Sequence, residues 1–321
     1  MIVPGIVFVT PPSTPEPPPV DPGRVHYRLW WEGWDGSNWS LTDDDSGLVL
    51  GRGVRGLGGL LVEHHRDDHA SLAGSRWRGF RALNREVFLP IHLFSDGDSL
   101  DWVKHNRAFW KTMRSGKTGW LHIVHPDGHH RKIQLRYEKG GEEAFELDPA
   151  FYGWATYGIY LTAEQPYWEG DPVVAGPWRS AAPVPFLGGT ETPGYAPMFG
   201  VSEQQTIGSA TVNNPGDVET WGKWIYRGPA DSATVGVGGR TVGIPIALAA
   251  GERIEIDENP TEQVALLYSG DTVTDVTDQL SSFDFTEIPE GQDVPVDVEL
   301  VSSSGGSIEL HYTPLYEWGV S

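Results

Sequence analysis

The sequence contains no cysteine, which excludes a disulfide framework, thiolate metal ligands and a cysteine nucleophile. It is also poor in positive charge, with 23 Lys and Arg against 44 Asp and Glu, a net of −21. Such a chain is repelled by nucleic acid and by anionic membranes, so neither stable nucleic-acid binding nor membrane insertion is expected. Long apolar runs are missing too. The opening MIVPGIVFVT is too short and interrupted for a membrane span and lacks the basic residues of a signal peptide, so a soluble, non-secretory chain is expected. Catalytic signatures are equally absent: there is no Gly-x-Ser-x-Gly elbow, no glycine fingerprint opening a βαβ unit and no His-Glu-x-x-His. Paired carboxylates are so common in the acidic half that they single out nothing. No catalytic residue, cofactor-binding residue or metal ligand is therefore assigned, and an enzyme is not expected.

What is plentiful is Gly and Pro, 40 and 25 of 321 residues. That content predicts many short elements joined by turns, and the length suggests two domains. Charge marks a boundary between them. Residues 196–321 hold 20 acids and four bases (Lys223, Arg227, Arg240, Arg253), whereas ten of the eleven histidines precede residue 196. Six prolines between Asp171 and Pro197 predict a stiff, extended linker over 171–197, and eight prolines between residues 4 and 22 predict a solvated arm over 1–23.

Within 24–170, Val25, Tyr27, Leu29 and Trp31 alternate along one strand face, Asp35-Gly36 marks a hairpin turn, and Asn38–Leu41 starts the return strand. The glycine-dense stretch Gly51–Gly59 reads as turns or bulges; it lacks the setting of a phosphate loop. Glu86–Phe94 alternates as a strand, after which the period lengthens. Trp102, Val103, Asn106, Phe109, Trp110 and Met113 share one helical face, with Asp98 or Ser99 as N-cap and Gly116 as terminator. Strands Trp120–His125, Lys132–Tyr137 and Ala155–Leu161 follow. Over 198–321 no helical period is found. Short strands are predicted at Gln205–Val212, Lys223–Arg227, Thr234–Val237, Ile244–Leu248, Arg253–Ile256, Val264–Tyr268, Val294–Val301 and Ser307–Tyr312, the spacing of an antiparallel sandwich. The fold class is thus mainly β: an α+β split-barrel-like unit with one helix, then a β-sandwich.

Two histidine groups invite a metal reading. His64-His65-Arg66-Asp67-Asp68-His69 has Arg66 at its centre and glycine- and arginine-rich flanks, so it reads as a solvated loop. His122, His125, His129 and His130 surround the Pro126-Asp127-Gly128 turn without a nearby carboxylate cluster in sequence, and read as hairpin decoration. The 14 tryptophans are a real excess. Trp221 and Trp224 admit a sugar-stacking role in the second unit. Most of the others, including Trp30, Trp31, Trp34, Trp39, Trp102, Trp110, Trp154 and Trp168, sit on predicted strands and the helix, which favours cores and subunit interfaces.

Several pieces in order resemble the distal tail proteins (minor tail proteins) of phages with long, non-contractile tails, especially those of actinobacterial hosts. They are Trp31-Glu-Gly-Trp-Asp-Gly-Ser-Asn-Trp with the following Gly-Val-Arg-Gly-Leu, Arg85-Glu-Val-Phe-Leu-Pro-Ile feeding the helix Ser99–Arg114, the Pro126-Asp-Gly hairpin and Gln165-Pro-Tyr-Trp-Glu-Gly. In the second half come Asn214-Pro-Gly-Asp-Val-Glu-Thr-Trp-Gly-Lys-Trp, Gly228-Pro-Ala and Ala250-Gly-Glu-Arg-Ile-Glu-Ile-Asp. The resemblance covers residues 24–321. It implies a non-enzymatic virion protein of the tail tip, assembled in the host cytoplasm, whose first domain forms a homo-hexameric ring. That ring would meet the tail tube, tape measure and tail-associated proteins, while a galectin-like sandwich points outward. It carries no catalytic residues over; the alternative is a carbohydrate-binding module for cell-wall glycans, or a weak glycan contact. The arm and the linker are both longer than the family pattern leads one to expect.

Overall fold

The computed structural model describes residues 25–43, 46–68, 73–141, 147–179, 210–302 and 305–320. The proline-rich arm, the linker beyond residue 179, the start of the strand expected at Gln205 and His69 lie outside the described residues. The architecture is mainly β.

The first core belongs to one large sheet. Its strands are β1 (Arg28–Glu32), β2 (Asn38–Ser40) and β3 (Leu48–Leu50), then, after a separate ribbon of β4 (Val62–Asp68) and β5 (Ser75–Ala82), β6 (Arg85–Phe94). Helix α1 (Ser99–Thr112) leads into β7 (Thr118–Val124) and β8 (His130–Gly140), and the short helix α2 (Pro149–Tyr152) into β9 (Trp154–Ala163) and β10 (Trp168–Glu169). The antiparallel order is β2-β1-β7-β8-β9-β6-β3. The two ends of this order meet, because Leu50 N–H donates to Leu41 O at 2.9 Å, so the sheet curls into a nearly closed barrel. Alternation explains the inside: Val87, Leu89, Ile91 and Leu93 of β6 face Ala155, Tyr157, Ile159 and Leu161 of β9, and all are buried.

Helix α1 plugs this barrel for reasons readable in its sequence. Asp98, in extended conformation, caps it by accepting from Asp101 N–H at 2.9 Å. Trp102, Phe109 and Met113 are buried on its inner face. A two-bond chain ties it to the hairpin: Trp31 Nε1 donates to Thr112 Oγ1 at 3.0 Å, and Thr112 donates to Phe109 O at 2.7 Å. Gly119 is required beside Trp31, since a Cβ there would fall 2.3 Å from the indole.

The second core lies between two further sheets. Their strands are β11 (Val173–Trp178), β12 (Thr211–Asn213), β13 (Thr220–Arg227), β14 (Ser232–Val237), β15 (Arg240–Ile244), β16 (Arg253–Asp257) and β17 (Val264–Ser269). They continue as β18 (Thr272–Asp275), β19 (Ser282–Phe283), β20 (Glu287–Ile288), β21 (Asp293–Val301), β22 (Ser307–Tyr312) and β23 (Leu315–Tyr316). One sheet runs β11-β22-β13-β16-β17-β18, with β20 on β13, and the other β12-β21-β14-β15-β19. Their facing side chains, among them Trp224, Tyr226, Val235, Ile254, Ile256 and Leu310, are fully buried.

Three details depart from the sequence expectations. Val173–Trp178, inside the stretch expected to be an unpacked linker, is strand β11 paired with β22. The strand expected at Ile244–Leu248 lies earlier, as β15, because Gly238 and Gly239 take positive φ (64° and 84°) and turn a tight hairpin after β14. The last strand leaves the sandwich: β23 pairs with β10, so the chain returns to the first sheet beside its own exit, where Gly170 N–H donates to Pro314 O at 2.9 Å.

Candidate functional site

Two surfaces of the first unit are built in a way that its own core does not explain. Among the described residues the β4–β5 ribbon pairs only with itself, and almost every side chain on it is exposed on both faces. Two strands alone hide no apolar face and are marginal in water. The ribbon nevertheless displays Trp77 and Phe80, 56% and 46% exposed. Arg78 pairs with Asp67 and Arg81 with Glu63, while Arg66 and Arg76 have no ion-pair partner among the described residues. The run expected to be a solvated loop is therefore a strand. Ladder pairing from Val62↔Ala82 to Asp68↔Ser75 overrides its polar composition, and Gly79 (φ 145°) absorbs the bulge beside His65. His64 accepts from Trp77 Nε1 at 3.2 Å.

The second surface is apolar and surrounds α2. Leu100, Leu147, Phe151, Tyr152 and Trp154 are all about half exposed or more. Asp148 caps α2 through Ala150 N–H at 3.0 Å, and Ser95 N–H donates to Gly153 O, which sets the Ser95–Asp98 loop against the patch. The rim is thus acidic, with Asp96, Asp98 and Asp148. Exposed apolar side chains grouped around one short helix and flanked by acidic groups mark an interaction surface.

The turn histidines separate in space. His129 stays on the exposed turn, whereas His125 is buried and bonds Gly319 O at 2.8 Å. His122 and His130 meet at 2.9 Å, and, unlike the sequence reading, carboxylates do flank them: Glu32 lies 3.0 Å from His122 and Asp171 3.1 Å from His130. Burial holds the His122 imidazole below its ordinary range, against the pull of Glu32. Among the described residues, no three His, Asp or Glu side chains converge as a metal-ion site.

The tryptophans divide the same way. Trp224 is fully buried and donates Nε1 to Glu258 Oε1 at 3.1 Å, so it presents no face to a sugar. Glu258 is buried as well; burial pushes its carboxyl up to about 8. Trp221 is half-buried in a cleft of about 600 Å³ between the units, shared with Tyr167, Glu169, Lys223, Asp257 and His311. Within the cleft Lys223 is engaged with Asp257 at 3.1 Å, and Glu169 pairs with Lys132 of β8 at 3.7 Å.

No family model matches the sequence, and no curated protein is similar to it. The fold, in contrast, is similar to solved structures. One is the crystal structure of the SPP1 Dit protein, described as a paradigm of the hub adsorption apparatus in phages infecting Gram-positive bacteria. The TM-score is 0.59 at 13% identity, over 91% of this chain and 99% of that one. Two others are chains of the phage P2 baseplate in its activated conformation. The calcium form has a TM-score of 0.54 at 11% identity, and the strontium form 0.54 at 12%, each over 89% of this chain and 98% of the other. At such identities the likeness is one of fold.

Proposed function

We propose that the chain is a non-enzymatic structural component of a phage tail tip, a hub that joins the tail tube to tip proteins as a homo-hexameric ring. One observation carries this reading: the shared fold extends over nearly the whole of this chain and of the SPP1 Dit chain, both units included. The two unsatisfied surfaces supply its chemistry. A ring needs a heterologous interface, with one patch of each copy on a different patch of the next. The ribbon, with Trp77, Phe80, Arg66 and Arg76, complements the α2 patch and its acidic rim. On this reading the tail tube, tape measure and tail-associated proteins are the partners, and the virion is the destination after assembly in the host cytoplasm. A sugar-binding role is less favoured, because burial removes Trp224 from any binding face.

The test is the solution mass across a concentration series, with negative-stain imaging of the largest species, alone and with tail-tube protein. Six-fold rings support the hub. A monomer under every one of these conditions overturns it.

A further inference from the structure

His122 and His130 form an unusually well-defined pair. Their ring planes agree within 1°, their centroids are 5.2 Å apart, and Nδ1 of His122 lies 2.9 Å from Nε2 of His130. Together these values describe two coplanar rings meeting edge to edge, with the two nitrogens at hydrogen-bonding distance. Trp30 covers both: its indole is parallel to His122 within 7° and to His130 within 8°, at 4.6 and 5.5 Å between centroids. His122 reaches the Glu32 carboxylate with its other nitrogen, and His130 reaches Asp171.

Counting hydrogens fixes the state of this chain. Three contacts run in series, Glu32–His122, His122–His130 and His130–Asp171, and each requires one hydrogen. The carboxylates at both ends only accept, and two neutral imidazoles carry two N–H groups between them. The third hydrogen is one excess proton. A fourth would set N–H against N–H between the rings. Against the burial that holds the His122 imidazole down, two carboxylates at the ends and an indole face within the roughly 6 Å of a cation–π contact draw a single positive charge to the pair. Lys132, on β8, opposes it and is itself held by Glu169 of β10. Asp171 also lies near Tyr316 of β23.

We propose that His122 and His130 hold one proton between them, and that this shared proton pins Asp171, the residue at which the chain leaves the first sheet for the sandwich. Losing the proton leaves one of the three contacts without a hydrogen. Gaining a second breaks the contact between the rings. The crossing is therefore fastened in a middle range of pH and loosened on either side. This inference does not depend on the hub reading, since it concerns a joint within one chain.

Nuclear magnetic resonance titration of the imidazoles in the full-length chain tests it. Both rings are expected to report the same two steps, separated by a plateau, as coupled sites do. The decisive variant is Asp171→Asn at an exposed position. A carboxamide can donate, so it supplies the third hydrogen and removes the need for the excess proton. The first uptake should then move to lower pH by at least about one unit. Glu32→Gln should do the same from the other end. Exchange of the Gly170 amide, corrected for intrinsic base catalysis, should be slowest on the plateau. Two independent single-step titrations, a first step unmoved in Asp171→Asn, or exchange flat across the range would each overturn the proposal.

Discussion

Arg85 donates through one terminal nitrogen to the main-chain carbonyl of Glu317 at 2.7 Å, joining the first residue of β6 to a position 232 residues later. Its other donors reach Pro166 O, Gly56 O and Gly58 O, so one buried guanidinium gathers the glycine-dense loop, the approach to β10 and the returning tail. All four acceptors are neutral carbonyls. Burial lowers the guanidinium to about 10, which still leaves it charged at neutral pH.

Arg85→Met should therefore cost about 3 kcal/mol, because it strands one buried and three partly buried carbonyls at once. Denaturant unfolding measures the loss. Amide exchange should become fast across residues 315–320 before the rest of the first unit opens. A variant as stable as the parent, with the tail still protected, would refute the clasp.

Glu258 predicts a pH dependence of definite sign. Its folded carboxyl titrates at about 8, against about 4.3 unfolded. The folded state thus keeps a proton that the unfolded state gives up. Its contribution is fully present below about pH 4 and is lost as pH rises toward 8. Glu258→Gln retains an acceptor for Trp224 and has no proton to lose. At pH 8 it should be more stable than the parent by about 2–4 kcal/mol, converging toward it near pH 4. Parallel denaturation curves at pH 4.5, 6 and 8 check this.

Trp102 is 5% exposed, and its Nε1 has no hydrogen-bond partner among the described residues. Trp102→Ala should destabilise the first unit by about 3–5 kcal/mol through the cavity it leaves. Trp102→Phe removes the orphan donor along with part of the ring, and should cost well under half of that. Thermal unfolding of the two variants separates packing from polarity at this site.

The exposed aromatics should behave oppositely. Trp77→Ser and Phe151→Ser lie outside both cores, so each should leave unfolding within about 0.5 kcal/mol of the parent. In a sizing experiment, however, either one should abolish self-association. Loss of stability with assembly intact would place these residues in packing instead.

Much of this was legible in the sequence wherever one physical rule dominated. The alternation of Val87, Leu89, Ile91 and Leu93 gave β6, and the 3.6-residue spacing from Trp102 to Met113 gave α1 within two residues of its observed end. The ribbon was not legible. His64–Asp68 carries no apolar alternation, and neither of its faces is buried among the described residues. The histidine relay was missed for another reason: Glu32 and Asp171 are remote from the turn in sequence and reach it only through the β1–β7 register and the approach to β11. Trp224 looked available for stacking only because spacing does not reveal which face of β13 turns inward.

The returning strand β23 has a consequence for how such a molecule diversifies. Exit and re-entry are hydrogen-bonded neighbours at Gly170 and Pro314, so everything between them is a guest spliced into one loop of the host barrel. A guest with adjoining ends can be exchanged, enlarged or deleted without asking the host to rethread. The barrel keeps its closure and its clasp while the inserted sandwich changes, as a tool handle accepts different heads.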